Sequence, residues 1–113
     1  MKIFPYKDVE AQEADEGASK LKVRWLITKD MGAPNFAMRL FEMGLGGNSP
    51  LHTHPWEHEV FVLKGEGTVV GKDKERAVTS GDVVFIAPNE LHQFKTNGDT
   101  TFMFLCLVPI RDK

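Results

Sequence analysis

Three of the chain's four histidines fall within seven residues, His52-Thr53-His54-Pro55-Trp56-Glu57-His58, and the fourth, His92, stands alone further on. Neutral imidazole nitrogens are donors for divalent transition metals, and donors crowded in sequence are easily brought to one ion. The plain alternative is a polar turn carrying three solvated or capping histidines. We read the group as a metal site in which His52, His54, His58 and His92 hold one divalent transition ion. An imidazole set suits iron, copper, nickel or zinc, with manganese more often a carboxylate metal. Four ligands could also close a tetrahedron around a structural zinc. Histidines borne on strands of one wall would instead approach from one side and leave coordination positions open.

The elements that must position these rings are strands. Leu21, Val23, Trp25 and Ile27 alternate along a stretch ending at residue 27, and further strands are expected at 36–43, 59–63, 68–70, 76–79, 83–87, 92–96 and 101–108. Gly44, Gly46 and Gly47 with Asn48, Ser49 and Pro50 are expected to end the second of these. Turn residues separate the others, Asn97-Gly98 being a hairpin dipeptide. No segment shows a sustained helical period, so the expected fold is an all-β sandwich or barrel. Residues 1–19 contain the acidic run Asp8 to Glu16 and read as a solvated arm or loop, with an edge strand at Ile3 to Tyr6. Residues 20–113 form the single β domain.

Side chains two apart on a strand share a face. His52 and His54 therefore project together, and His58 begins the next strand with Val60 and Val62 on its face and Glu59, Phe61 and Leu63 opposite. For His92 to meet them the sheet must curl into a barrel.

The spacing Gly46, five residues, His52, one, His54, three, His58, six, Gly65 resembles the first motif of the cupin superfamily, in which a glutamate usually stands at the position of His58. Gly81, five residues, then Ala87-Pro88-Asn89-Glu90-Leu91-His92 is similar to the second motif, which usually has Pro at Ala87, Gly at Asn89 and Asn at Thr96. Asn tolerates the left-handed backbone that the glycine supplies. The resemblance spans roughly residues 36–108. It implies a small double-stranded β-helix, a jelly-roll-like barrel, with the metal inside and usually paired into a homodimer. The histidine in place of glutamate is similar to small single-domain cupins with an all-histidine site. Without a carboxylate ligand the ion keeps its full double charge, which favours anionic ligands at open positions.

Other residues are candidates by parity. Arg39 shares a face with Ala37, Phe41 and Met43; turned inward it could hold a substrate carboxylate near the metal, and turned outward it is a solvated arginine. On the last strand Phe102, Phe104, Cys106 and Val108 share one face and Met103, Leu105 and Leu107 the other, so burial on both sides is expected, by the barrel interior and by a neighbouring sheet or subunit. Cys106 reads as a small core residue, or, if its face is the lumen, as a thiol near the metal and prone to oxidation. Phe41, Trp56 and Phe104 are expected to line an apolar pocket.

The net charge of −2 and scattered basic residues give no reason to expect nucleic acid. No apolar run reaches membrane-span length, and Met1 to Pro5 lacks the pattern of a secretory leader. One cysteine excludes an internal disulfide and fits the cytoplasm. The function expected is a metalloenzyme of oxidoreductase, dioxygenase-like type, acting on a small organic, anionic substrate. The alternatives are a non-redox isomerase or lyase, for which no unliganded histidine is left as proton carrier, and a small-ligand-binding module without turnover.

Overall fold

Alternation of apolar and polar residues over short runs builds nine strands in the computed structural model, which describes residues 1–111 of the chain. They are β1 (Gln12–Glu13), β2 (Ser19–Ile27), β3 (Phe36–Asn48), β4 (His58–Lys64), β5 (Glu66–Val70), β6 (Glu75–Thr79), β7 (Val83–Ile86), β8 (Gln93–Thr96) and β9 (Phe102–Pro109). Short 3-10 turns at Tyr6–Asp8 and Lys29–Met31 are the only helical pieces among the described residues. No helix there is long and apolar enough to cross a membrane.

All pairings are antiparallel, and the strands run in the order β6-β5-β8-β3-β9-β4-β7, with β2 also on β3 and β1 on β2. The sheet curls into a half-barrel as expected. Its two end strands, β6 and β7, are consecutive in the chain, and the turn between them is tied to β4 by the Gly81 N–H to the Val62 carbonyl (2.8 Å) and the Val62 N–H to the Asp82 carbonyl (2.9 Å). Gly81 has a φ of 94°, a conformation that side chains resist.

The inner faces follow parity. Val60 and Val62 of β4 are buried beside His58, while Glu59, Phe61 and Leu63 point outward. Leu21, Met43, Val62, Ile86, Phe94, Phe102 and Phe104 fill the lumen. At Gly67 a Cβ would lie 2.4 Å from the Phe102 ring, so the backbone of β5 packs directly on that aromatic.

Two expectations are corrected. The glycines do not end the second strand: β3 continues through Gly44, Gly46 and Gly47 to Asn48, which pairs with Lys95. Gly46, at a φ of 75°, lies in an irregularity between the pairs Leu21–Met43 and Ser19–Asn48, and pairing resumes at Asn48. The edge strand is Gln12–Glu13 rather than Ile3 to Tyr6, where the chain is irregular up to the 3-10 turn that starts at Tyr6. It pairs along β2, with Gln12 opposite Val23 and Glu13 opposite Lys22. Within the single chain the last strand is buried on its inner face. Phe102, Phe104, Cys106 and Val108 are covered, whereas Met103, Leu105 and Leu107 are half-exposed, beside exposed Phe61, Val83 and Phe85 on the outer face of β4 and β7.

Candidate metal centre

Backbone contacts assemble the histidines before any side chain does. His52 and His92 form an isolated antiparallel bridge, exchanging N–H to carbonyl bonds of 3.1 and 3.0 Å. The Asn89 N–H donates to the His54 carbonyl at 2.6 Å, with Asn89 itself at a φ of 67°, the left-handed turn that Asn tolerates. His58 opens β4, paired with Ile86 of β7, and faces the lumen.

One nitrogen from each of His52, His54 and His92 lies within 4.8 Å of the others, a grouping that could hold a metal ion. His58 stands against this trio without being one of it: its Nε2 is 3.0 Å from His54 Nε2, and its ring centroid is 5.1 Å from that of His92. His92 is buried, and its ring centroid lies 4.8 Å from His52 and 5.0 Å from His54.

The donor set fits a transition ion in its protonation as well as its spacing. His92 Nδ1 is 2.8 Å from the Glu90 carbonyl. A carbonyl can only accept, so Nδ1 carries the proton and Nε2 keeps its lone pair for the cluster. Burial, followed by the neighbouring His92, lowers the His52 pKa from its ordinary value. Burial and then His52 bring His54 down to about 4, and burial and then Arg39 bring His58 down to about 3. All three rings are therefore neutral near pH 7, the form that binds metals.

Arg39 points inward. Its Nη2 donates to Cys106 Sγ at 3.0 Å and lies 3.3 Å from His58 Nδ1, while its Nε is buried with no hydrogen-bond partner. The guanidinium lies 5.3 Å from the Trp25 ring centroid and 4.9 Å from that of Phe41. Cys106 also faces the lumen, buried, with Sγ 3.3 Å from His58 Nδ1. Burial raises its pKa, so it is a neutral thiol. For His58 to offer Nε2 to an ion its Nδ1 must hold the proton, and the thiol sulfur is an acceptor in reach.

A cavity of about 220 Å³ opens over these groups, and Phe41, Trp56 and Phe104 line it together with all four histidines, Arg39 and Cys106. Trp56 stacks on His54 with centroids 4.7 Å apart and planes 7° apart, and the Arg111 guanidinium covers its ring at 3.6 Å. Sequence reasoning missed eight wall residues, among them Trp25, Phe94, Asp15 and Arg111. Trp25 and Phe94 were legible, since Trp25 shares parity with Leu21 and pairs with Arg39, and Phe94 shares parity with His92. Asp15 and Arg111 were not, because each reaches the cavity from an end of the chain whose path no local pattern reveals.

The comparisons with known proteins agree with this geometry. The cupin domain family matches residues 39–108. The polyketide cyclase RemF from Streptomyces resistomycificus is 36% identical, with a TM-score of 0.91 over 96% of this chain and 79% of that one. A cupin-2 domain protein from Rhodospirillum rubrum is 30% identical, with a TM-score of 0.84 over 99% of this chain and 77% of that one. The 1-methylthio-D-xylulose 5-phosphate methylsulfurylase of Rhodospirillum rubrum is 40% identical over 77 residues, 67% of this chain; the match spans about half (49%) of that relative's length. On both motifs, the curled sheet and the matched span, this chain belongs to the cupin family.

Proposed function

We propose that the chain is a metal-dependent enzyme for a small organic anion, with His52, His54, His58 and His92 as the ligands of one divalent ion. The observation that carries the reading is the cluster of neutral imidazoles at the base of a cavity into which Arg39 turns a guanidinium. The 3.0 Å between His54 and His58 Nε2 supports a fourth ligand. Two nitrogens each about 2.1 Å from one ion stand roughly 3.0 Å apart at a right angle and roughly 3.4 Å apart in a tetrahedron.

Within the cavity Arg39 orients the substrate. Its Nη2 is engaged by Cys106, but its Nε lacks a partner, and a buried donor of this kind is satisfied by a ligand oxygen. Phe41, Phe104 and Trp56 exclude water from the carbon skeleton, which strengthens the hold of the guanidinium on the anionic group. Cys106 holds the His58 ring rather than attacking substrate, since its buried thiol stays protonated. A bound ion would supply Lewis-acid polarisation of a substrate oxygen.

That chemistry is of the non-redox class, an isomerisation, lyase or cyclisation step, and the similarity to a protein named as a polyketide cyclase supports it. The oxidoreductase, dioxygenase-like reading is the second, favoured by an all-imidazole donor set that suits iron and copper. Zinc-loaded protein tested without dioxygen separates them. Exchange of α-hydrogens of keto acids with deuterium from solvent, with solvent water as the proton acceptor because no imidazole is left free, is expected under the first reading and is followed by NMR. Exchange absent with zinc, with dioxygen consumed only by iron- or copper-loaded protein, would establish the second.

The same reading takes the chain as a homodimer. Exposed Phe61, Val83 and Phe85 beside half-exposed Leu105 and Leu107 form an apolar outer face of the kind that subunits cover. Sedimentation equilibrium is expected to give twice the chain mass, and Phe61→Glu to give the monomer. The lone buried thiol supports a cytoplasmic location.

A further inference from the structure

The cavity carries charge of both signs. Arg39 meets His58 at one part of its wall, and Arg111 covers Trp56, which stacks on His54, at another. Asp15 lines it as well, from the segment that precedes β2.

That segment is held in place. The Ala14 N–H donates to the Leu21 carbonyl at 3.0 Å and the Ala18 N–H to the Asp15 carbonyl at 3.1 Å, which closes a turn. Asn48 Nδ2 donates to the Gly17 carbonyl at 3.3 Å, and a Cβ on Gly17 would lie 3.3 Å from Pro50, two residues before His52. The turn is thus fixed over the loop that bears the first histidines. Within the described residues the Asp15 side chain makes no hydrogen bond or ion pair.

A carboxylate at the wall of an anion-binding cavity repels a ligand that is anionic throughout, and rewards one that presents a hydrogen-bond donor to it. We propose that Asp15 is a specificity-determining residue that accepts a hydrogen bond from a substrate hydroxyl or ammonium group while Arg39 holds the anionic group. The substrate class is then a small hydroxy or amino acid rather than a simple carboxylate. This rests on the anionic-substrate reading above and narrows it.

The test uses cobalt-loaded full-length protein, with the visible spectrum of the ion as readout. Butyrate and 3-hydroxybutyrate, which differ by one hydroxyl, are titrated separately at low salt. In the wild-type protein the hydroxy acid is expected to bind about tenfold more tightly. In Asp15→Ala the two are expected to bind within about twofold of each other, with cobalt affinity in a chelator competition unchanged, because Asp15 is exposed and holds no part of the core. Equal binding in the wild type overturns the inference, as does an advantage that survives in Asp15→Ala or a loss of cobalt affinity there. If neither acid binds the wild type, the anionic-substrate reading itself falls, and this one with it.

Discussion

Strand β9 runs the length of the lumen and meets two different interiors. Near Phe102 the space is full. That ring is fully buried with Met43 and Val62, and β5 has glycine where any side chain would strike it. Near Cys106 the same face of the same strand meets Arg39 and His58, and a cavity opens. Both ends obey one alternation, and what differs is the size and polarity of the facing residues. The packed end holds the sheet's curvature, and the open end uses it.

The largest effect should come from the packed end. Phe102→Ala is expected to cost about 3–5 kcal/mol in urea unfolding, by lost burial and a residual cavity. If the two ends are separable, the folded fraction should bind metal as the wild type does. His92→Ala should do the reverse. Metal affinity is expected to fall by more than the roughly 10–100-fold that loss of a supporting partner costs. Metal-free stability should change much less than in Phe102→Ala, and isothermal titration with differential scanning calorimetry reads both.

Arg39→Met is expected to weaken azide binding to the cobalt-loaded protein about tenfold, with metal content unchanged. An affinity equal to that of the wild type would return Arg39 to a packing role between Trp25 and Phe41. Acidity also separates the ends. His54 and His58 bind protons in the folded chain only near pH 4 and pH 3, against an ordinary 6.5. Below pH 6.5 the unfolded chain therefore takes up protons that the folded chain refuses. The stability of metal-free protein is full above that pH and is lost as pH falls through this window. Replacing both rings by Gln should flatten the slope, whereas Phe102→Ala should lower the whole curve without changing its shape. The smallest effect is expected of Cys106→Ser, which keeps an acceptor beside His58 Nδ1 and should leave metal affinity within about threefold.

Much of the open end could be read from residues alone. Parity placed His58 rather than Glu59 inward, but it left open which way Arg39 and Cys106 turn, and only the pairing of β3 with β9 brings them together. The packed end was legible in type but not in extent. Gly44 to Asn48 look like a break, and only partners distant in sequence, Ser19 and Lys95 at Asn48, let the strand resume after the left-handed Gly46. The acidic run before β2 is soluble by composition, yet β1 and the Asp15 turn are set by hydrogen bonds to Leu21 and by the fit of Gly17 against Pro50. Such placements are tertiary facts with no local signature.

The two hydrogen bonds between His52 and His92, with the third from Asn89 to His54, stitch the two motif loops together through main chain alone. An apoprotein so stitched has its cage standing before any cation arrives. A chelator would then strip it without melting it, and a different ion could be exchanged in afterwards. Which metal the molecule carries in a cell becomes a question of supply at the moment of loading, not of the order in which the polypeptide takes shape.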